Sequence, residues 1–124
     1  KGGEYGHGAH KVTSDASVYC VENAADASVL PALAEAYGTW TVKKLYLHMG
    51  DENVIHMDWN VPLDSMGGKT SQQLAQEAFL LHVTQQKTSY VVTDEGKTGN
   101  AKFSLVYTEV GPDAVGGDFF ENVE

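Results

Sequence analysis

The sequence predicts an α+β domain: two helices on one face of an antiparallel sheet, in the order β-α-β-β-α-β-β, ferredoxin-like or a related plan with an added strand. Three observations carry this: two stretches with helical spacing and end signals, period-two alternation around them, and a polar Gly-containing turn mid-chain. The reading places the single domain at residues 12–110, an extended N-terminal arm at 1–11 and an acidic C-terminal tail at 111–124.

The elements follow in order. Residues 1–10 hold four Gly and two His, with little to bury, and read as the extended arm. From Val12 to Val21, Val12, Ser14, Ala16, Val18 and Cys20 alternate with more polar neighbours, as in a strand with one inward face. A helix fits Val29–Tyr37, with Ser28 as N-cap, Pro31 in the first turn, Gly38 as the stop, and Leu30, Leu33 and Tyr37 as its apolar stripe. Thr39–Met49 and Val54–Val61 read as strands joined into a hairpin through Gly50-Asp51-Glu52-Asn53.

Thr70 with Gln73 forms a capping box that opens a helix running to about Gln85, with Leu74, Ala75, Ala78, Phe79, Leu81 and His82 at helical spacing. The preceding Gly67-Gly68-Lys69 lacks the earlier Gly and the parallel strand of a phosphate-binding loop and reads as a helix entry. Ser89–Thr93 and Ala101–Val110 complete the sheet as a last hairpin. The tail then carries Pro112, Gly116, Gly117 and four acids around an apolar pair, Phe119-Phe120.

Composition excludes several classes. Apolar residues make up 42% of the 124 and charged residues only 20%, enough to build a core and unlike a disordered chain. Eight basic against seventeen acidic residues give a formal charge of −9, which repels nucleic acid and anionic lipid and reads as a charge that keeps the chain soluble, or else as one suited to a basic partner protein or a bound cation. No apolar run reaches the roughly 20 residues of a membrane span. The first residue is Lys1 rather than Met, so the reading expects a processed product in an extracellular or periplasmic setting. Cys20 is the sole cysteine, which excludes an intramolecular disulfide, and it reads as a small buried apolar residue.

The candidate chemistry centres on Leu47-His48-Met49 and Ile55-His56-Met57, since imidazole and thioether ligands suit copper. A three- or five-residue turn puts Leu45, Leu47, Met49, Ile55, Met57 and Trp59 on one apolar face. His48 and His56 then oppose each other on the other face. With Asp58, and with His7 and His10 folded back from the arm, they form a set suited to zinc or copper. The simpler account makes the histidines ordinary strand residues and the methionines core fillers. His82 reads as a hydrogen-bonded core histidine, or else as a general base beside Tyr46 or Asp58. Asp51-Glu52-Asn53 and Asp94-Glu95 read as solvated turns without the spacing of a calcium loop.

The functional expectation is a non-enzymatic assembly or binding domain. Its arms, through Phe119, Phe120 and Tyr5, dock on a second copy or on another protein. Alternatives are a copper- or zinc-binding protein, an acidic inhibitor of a basic protein, and a small enzyme with a His base.

Overall fold

The alternation between Val12 and Val21 forms no strand. In the computed structural model, which describes residues 8–48, 50–85, 92–93, 101–114 and 118–123, this segment lies within α1, Gly8–Asn23. Its inward side is Ser14, Ser17, Val18 and Val21, spaced three and four apart and dominated by small side chains, so the apolar signal of a helix is faint. The residues that suggested a strand satisfy themselves inside the helix: Thr13 donates to the Ala9 carbonyl at 2.9 Å and Ser17 to the Thr13 carbonyl at 2.8 Å. His10 and Lys11 belong to this helix too, so they are not part of an extended arm. Cys20 is exposed rather than buried. It is therefore expected to react stoichiometrically with a thiol reagent in the native state, at nearly the rate of an unstructured peptide. A tenfold or greater slowing relieved by denaturant would show that Cys20 is shielded.

α2 is Pro31–Tyr37, with Pro31 in the first turn and Gly38 as C-cap at φ 81°. Ser28 does not cap it. Its amide and hydroxyl donate instead to Asp26 Oδ1, at 2.8 and 2.7 Å, closing a turn that ends the α1 segment.

Three strands make an antiparallel sheet in the order β1-β3-β2: Lys44–His48, Lys102–Thr108 and Val54–His56. The expected β1–β2 hairpin is therefore not formed, because the last strand lies between the two. In the register, Lys44 faces Thr108, Tyr46 faces Leu105 and His48 faces Phe103, with a bulge between Leu45 and Tyr46. One face thus carries Lys44, Tyr46, His48, Phe103 and Leu105; the other carries Leu45, Leu47, Ser104 and Tyr107. α1 packs against β1. Gly50 is required by close approach, since a Cβ there would meet Ser104 Oγ at 2.0 Å. That hydroxyl is buried and has no hydrogen-bond partner among the described residues.

The chain gathers into two compact units, residues 1–55 with 103–124, and residues 56–102, the second inserted in sequence between β2 and β3. The inserted unit contains α3, Ser71–Leu80, opened by the expected capping box: Thr70 Oγ1 accepts from the Gln73 amide and Gln73 Oε1 from the Thr70 amide. The helix stops at Leu80, a turn before the expected end. His82 lies beyond it and is exposed, so it is not a core histidine; its ring centroid is 6.1 Å from that of Phe79. Trp59, Val92 and Ala101 form this unit's core, with Ala75 and Phe79 packed against it. Val92 is not in a strand. Gln72 donates to its carbonyl at 3.0 Å and its amide donates to Gln76 at 2.9 Å, so two glutamines one helical turn apart replace a sheet ladder. Residues 89–91 and 94–100 of the expected last hairpin lie outside the described residues.

Candidate functional site

Two groupings of side chains stand out, both in the unit that holds the sheet. The first is a polar latch. Lys44 and Tyr46 alternate on β1 and so project from the same face, where both meet Asp113 of the tail. Lys44 Nζ donates to one carboxylate oxygen and the Tyr46 hydroxyl to the other, the latter at 2.5 Å. The ionic side chains are only 4% and 8% exposed. Burial pushes the Asp113 carboxyl up, but the hydrogen bonds from Lys44 and Tyr46 outweigh it and hold the group below the ordinary aspartate value. Burial likewise pulls the Lys44 ammonium down, and its bonds to Asp113 and Tyr46 more than reverse this. Tyr46 is raised by burial and by the proton it gives to Asp113.

Beside the latch, Phe119 packs edge-on against Tyr46 at 4.7 Å and against Phe103 at 5.5 Å. The tail is thus folded onto its own sheet, helped by the Ala114 amide donating to Glu121 and the Phe120 amide to Asp118. It is no extended arm. All three polar groups of the latch are engaged with one another, an arrangement that fixes structure and leaves none of them poised for proton transfer to a substrate.

The second grouping is the outer face of α2. Leu30, Leu33 and Tyr37 are the apolar stripe with which the expected helix covers the sheet, and Trp40 belongs to the expected strand Thr39–Met49. They are instead 60%, 53%, 86% and 74% exposed. Leu33 and Tyr37 lie one turn apart on the helix, Leu30 precedes it as N-cap, and Trp40 follows on the non-helical segment after Gly38. Trp40 is held there by its amide, which donates to the Ala24 carbonyl at 3.1 Å. Next to the stripe, a pocket of about 140 Å³ is lined by Ala24, Asp26, Val29, Leu30, Leu33 and Ala34, among others.

No family model matches this chain. No curated protein or solved structure matches it either, so the site is read from its own residues.

The expected metal set is not brought together as the hairpin reading required. The His48 ring lies tilted at 43° to that of Phe103, 5.5 Å between centroids, and β3 separates its strand from the one carrying His56. His56, Met57 and Asp58 are exposed, and His10 sits on α1. His7 and Tyr5 lie outside the described residues. Among the described residues, no group of three or more His, Cys, Asp or Glu side chains could hold a metal ion. Phe119 is half-buried in its own unit, whereas Phe120 is exposed. No described helix is long and apolar enough to cross a membrane. The sequence reading missed Lys44 and Asp113, and what could have pointed to them was a lysine two residues from a tyrosine inside a strand otherwise rich in leucine.

Proposed function

We propose that this chain is a non-enzymatic binding or assembly domain that docks another protein through the outer face of α2. The observation that carries this reading is the group Leu30, Leu33, Tyr37 and Trp40, set within eleven residues on and beside α2, each residue more than half exposed to solvent. Folded domains seldom leave two large aromatics and two leucines so close in sequence and all open to solvent unless another surface covers them. Phe119, the expected anchor of a docking tail, is engaged with Tyr46 and Phe103 of its own unit, which moves the docking role from the tail to α2. The acidic balance of −9 favours a basic partner.

The test uses the chain as bait in an extract of its source, beside the double variant Tyr37→Ser with Trp40→Ser. Both side chains are exposed, so the double variant is expected to keep the wild-type circular dichroism and to unfold within about 0.5 kcal/mol of it. The retained proteins should fall at least about tenfold with the variant, the loss of one central aromatic contact or more. The same proteins retained to the same extent by both baits would remove α2 as the docking face.

A further inference from the structure

We infer that the occupant of the α2 face is a basic, amphipathic peptide segment of a partner protein, which places one ring-sized or branched apolar side chain in the pocket and a Lys or Arg beside Asp26. This rests on the reading of α2 as a docking face and adds the chemistry of what docks.

Charge selects the sign. From Val12 to Val42 the sequence contains Asp15, Glu22, Asp26 and Glu35 and no Lys, Arg or His at all, so α2 and the greater part of α1 form an acidic stretch with no internal counter-charge. Asp26 is the acid on the pocket wall. Both Ser28 hydrogen bonds fall on its Oδ1, which leaves Oδ2 for an incoming donor. Those bonds also hold its carboxyl below the ordinary aspartate value, so it stays charged in mild acid. A second copy of this chain would bring the same acids to the same face, and each copy carries −9.

Area selects the size. A fully buried Tyr or Trp removes roughly 150–250 Å² from water, so the four partly exposed side chains offer on the order of 450 Å². A stable interface between two folded proteins takes about 800 Å² from each. The stripe alone is too small for that and matches one helix or extended segment laid along it. The pocket of about 140 Å³ beside it, open to solvent and lined by Val29, Leu30 and Leu33, gives one apolar side chain of the segment a place to rest.

The experiment measures binding of three synthetic 18-residue peptides to the intact chain by fluorescence anisotropy. One is a Leu/Lys amphipathic helix with a central Phe, one is the same peptide with Glu for Lys, and one is a scrambled Leu/Lys peptide of equal charge. The amphipathic basic peptide is expected to bind at least about tenfold tighter than either control. Its affinity should drop about tenfold with Trp40→Ser and several-fold with Asp26→Asn, and should weaken on raising salt from 50 to 300 mM. Equal binding of the basic and acidic peptides overturns the charge assignment. Equal binding of the ordered and scrambled basic peptides, or no effect of Trp40→Ser, overturns the seated segment. Sedimentation of the wild type as a dimer that Trp40→Ser dissociates, with no selective peptide binding, overturns the basic occupant while keeping α2 as a docking face. A monomer that binds no peptide and whose extract partners survive Tyr37→Ser with Trp40→Ser removes both readings together.

Discussion

Trp59→Ala is expected to cost about 3–5 kcal/mol, the range for deleting a buried aromatic side chain. Trp59 sits in the core of the inserted unit, packed with Val92 and Ala101 and flanked by Ala75 and Phe79, and among the described residues of that core it is the one large buried side chain. Its backbone is also a junction. The Gln72 amide donates to the Trp59 carbonyl, and the neighbouring Met57 amide donates to the Ala101 carbonyl, so a collapse of the cavity would loosen the start of α3 as well. A chain of this size has only about 5–15 kcal/mol in total, so the loss is a large share. Urea unfolding followed by circular dichroism checks it, since the variant still carries Trp40 but no longer the buried reporter. A midpoint unchanged from wild type would mean that this core does not limit stability.

Asp113→Ala leaves the buried Lys44 ammonium without its counter-charge and the Tyr46 hydroxyl without the carboxylate it donates to, and is expected to lower the thermal midpoint by roughly 10 °C. Most of that loss comes from the stranded charge rather than from the lost bond, so adding Lys44→Met should restore a good part of it. A double variant no more stable than Asp113→Ala alone would contradict this. The pH dependence follows from the direction of each shift. Asp113 is depressed, so its contribution is present above the ordinary aspartate range near pH 4 and is lost as pH falls through and below it. Lys44 and Tyr46 are both raised, so their contributions are complete at neutrality and are lost only as pH climbs past about 10. Wild-type stability should therefore show a plateau between these limits, with the acid shoulder missing in the Asp113→Ala and Lys44→Met double variant.

The features legible in the sequence were those written in local chemistry. Thr70 with Gln73 marks a capping box whatever surrounds it, and Pro31 and Gly38 bracket a short helix by backbone geometry alone. β3 and β1 are strands because apolar and β-favouring residues crowd them. What failed depended on partners far along the chain. Val12 to Val21 alternates well enough for a strand, yet Ser14 and Ser17 are small enough for α1 to lie close to its neighbours, and no periodicity of apolar residues reports that. The hairpin of β1 and β2 was the natural pairing for adjacent strands, and it gave His48 and His56 to each other. β3 took the central place instead and set Phe103 opposite His48. The α2 stripe was visible as a pattern, but its direction was not, because Leu30, Leu33 and Tyr37 look the same from the sequence whether they face a core or solvent.

The placement of β3 has a consequence for the order in which the molecule can be made. Among the described residues β1 and β2 each pair with β3 alone, and the β1–β3 pairs lie between 55 residues apart, His48 with Phe103, and 64 residues apart, Lys44 with Thr108. During synthesis this ladder cannot begin before Phe103 or be completed before Thr108 has been made, and the Asp113 latch closes later still. Until then the first 55 residues hold two unpaired strand segments and an apolar α2 stripe at once, while residues 56–102 already contain most of the contacts they need. The segments that wait longest for their partners are thus β1 and β2, made before the inserted unit and paired only after it.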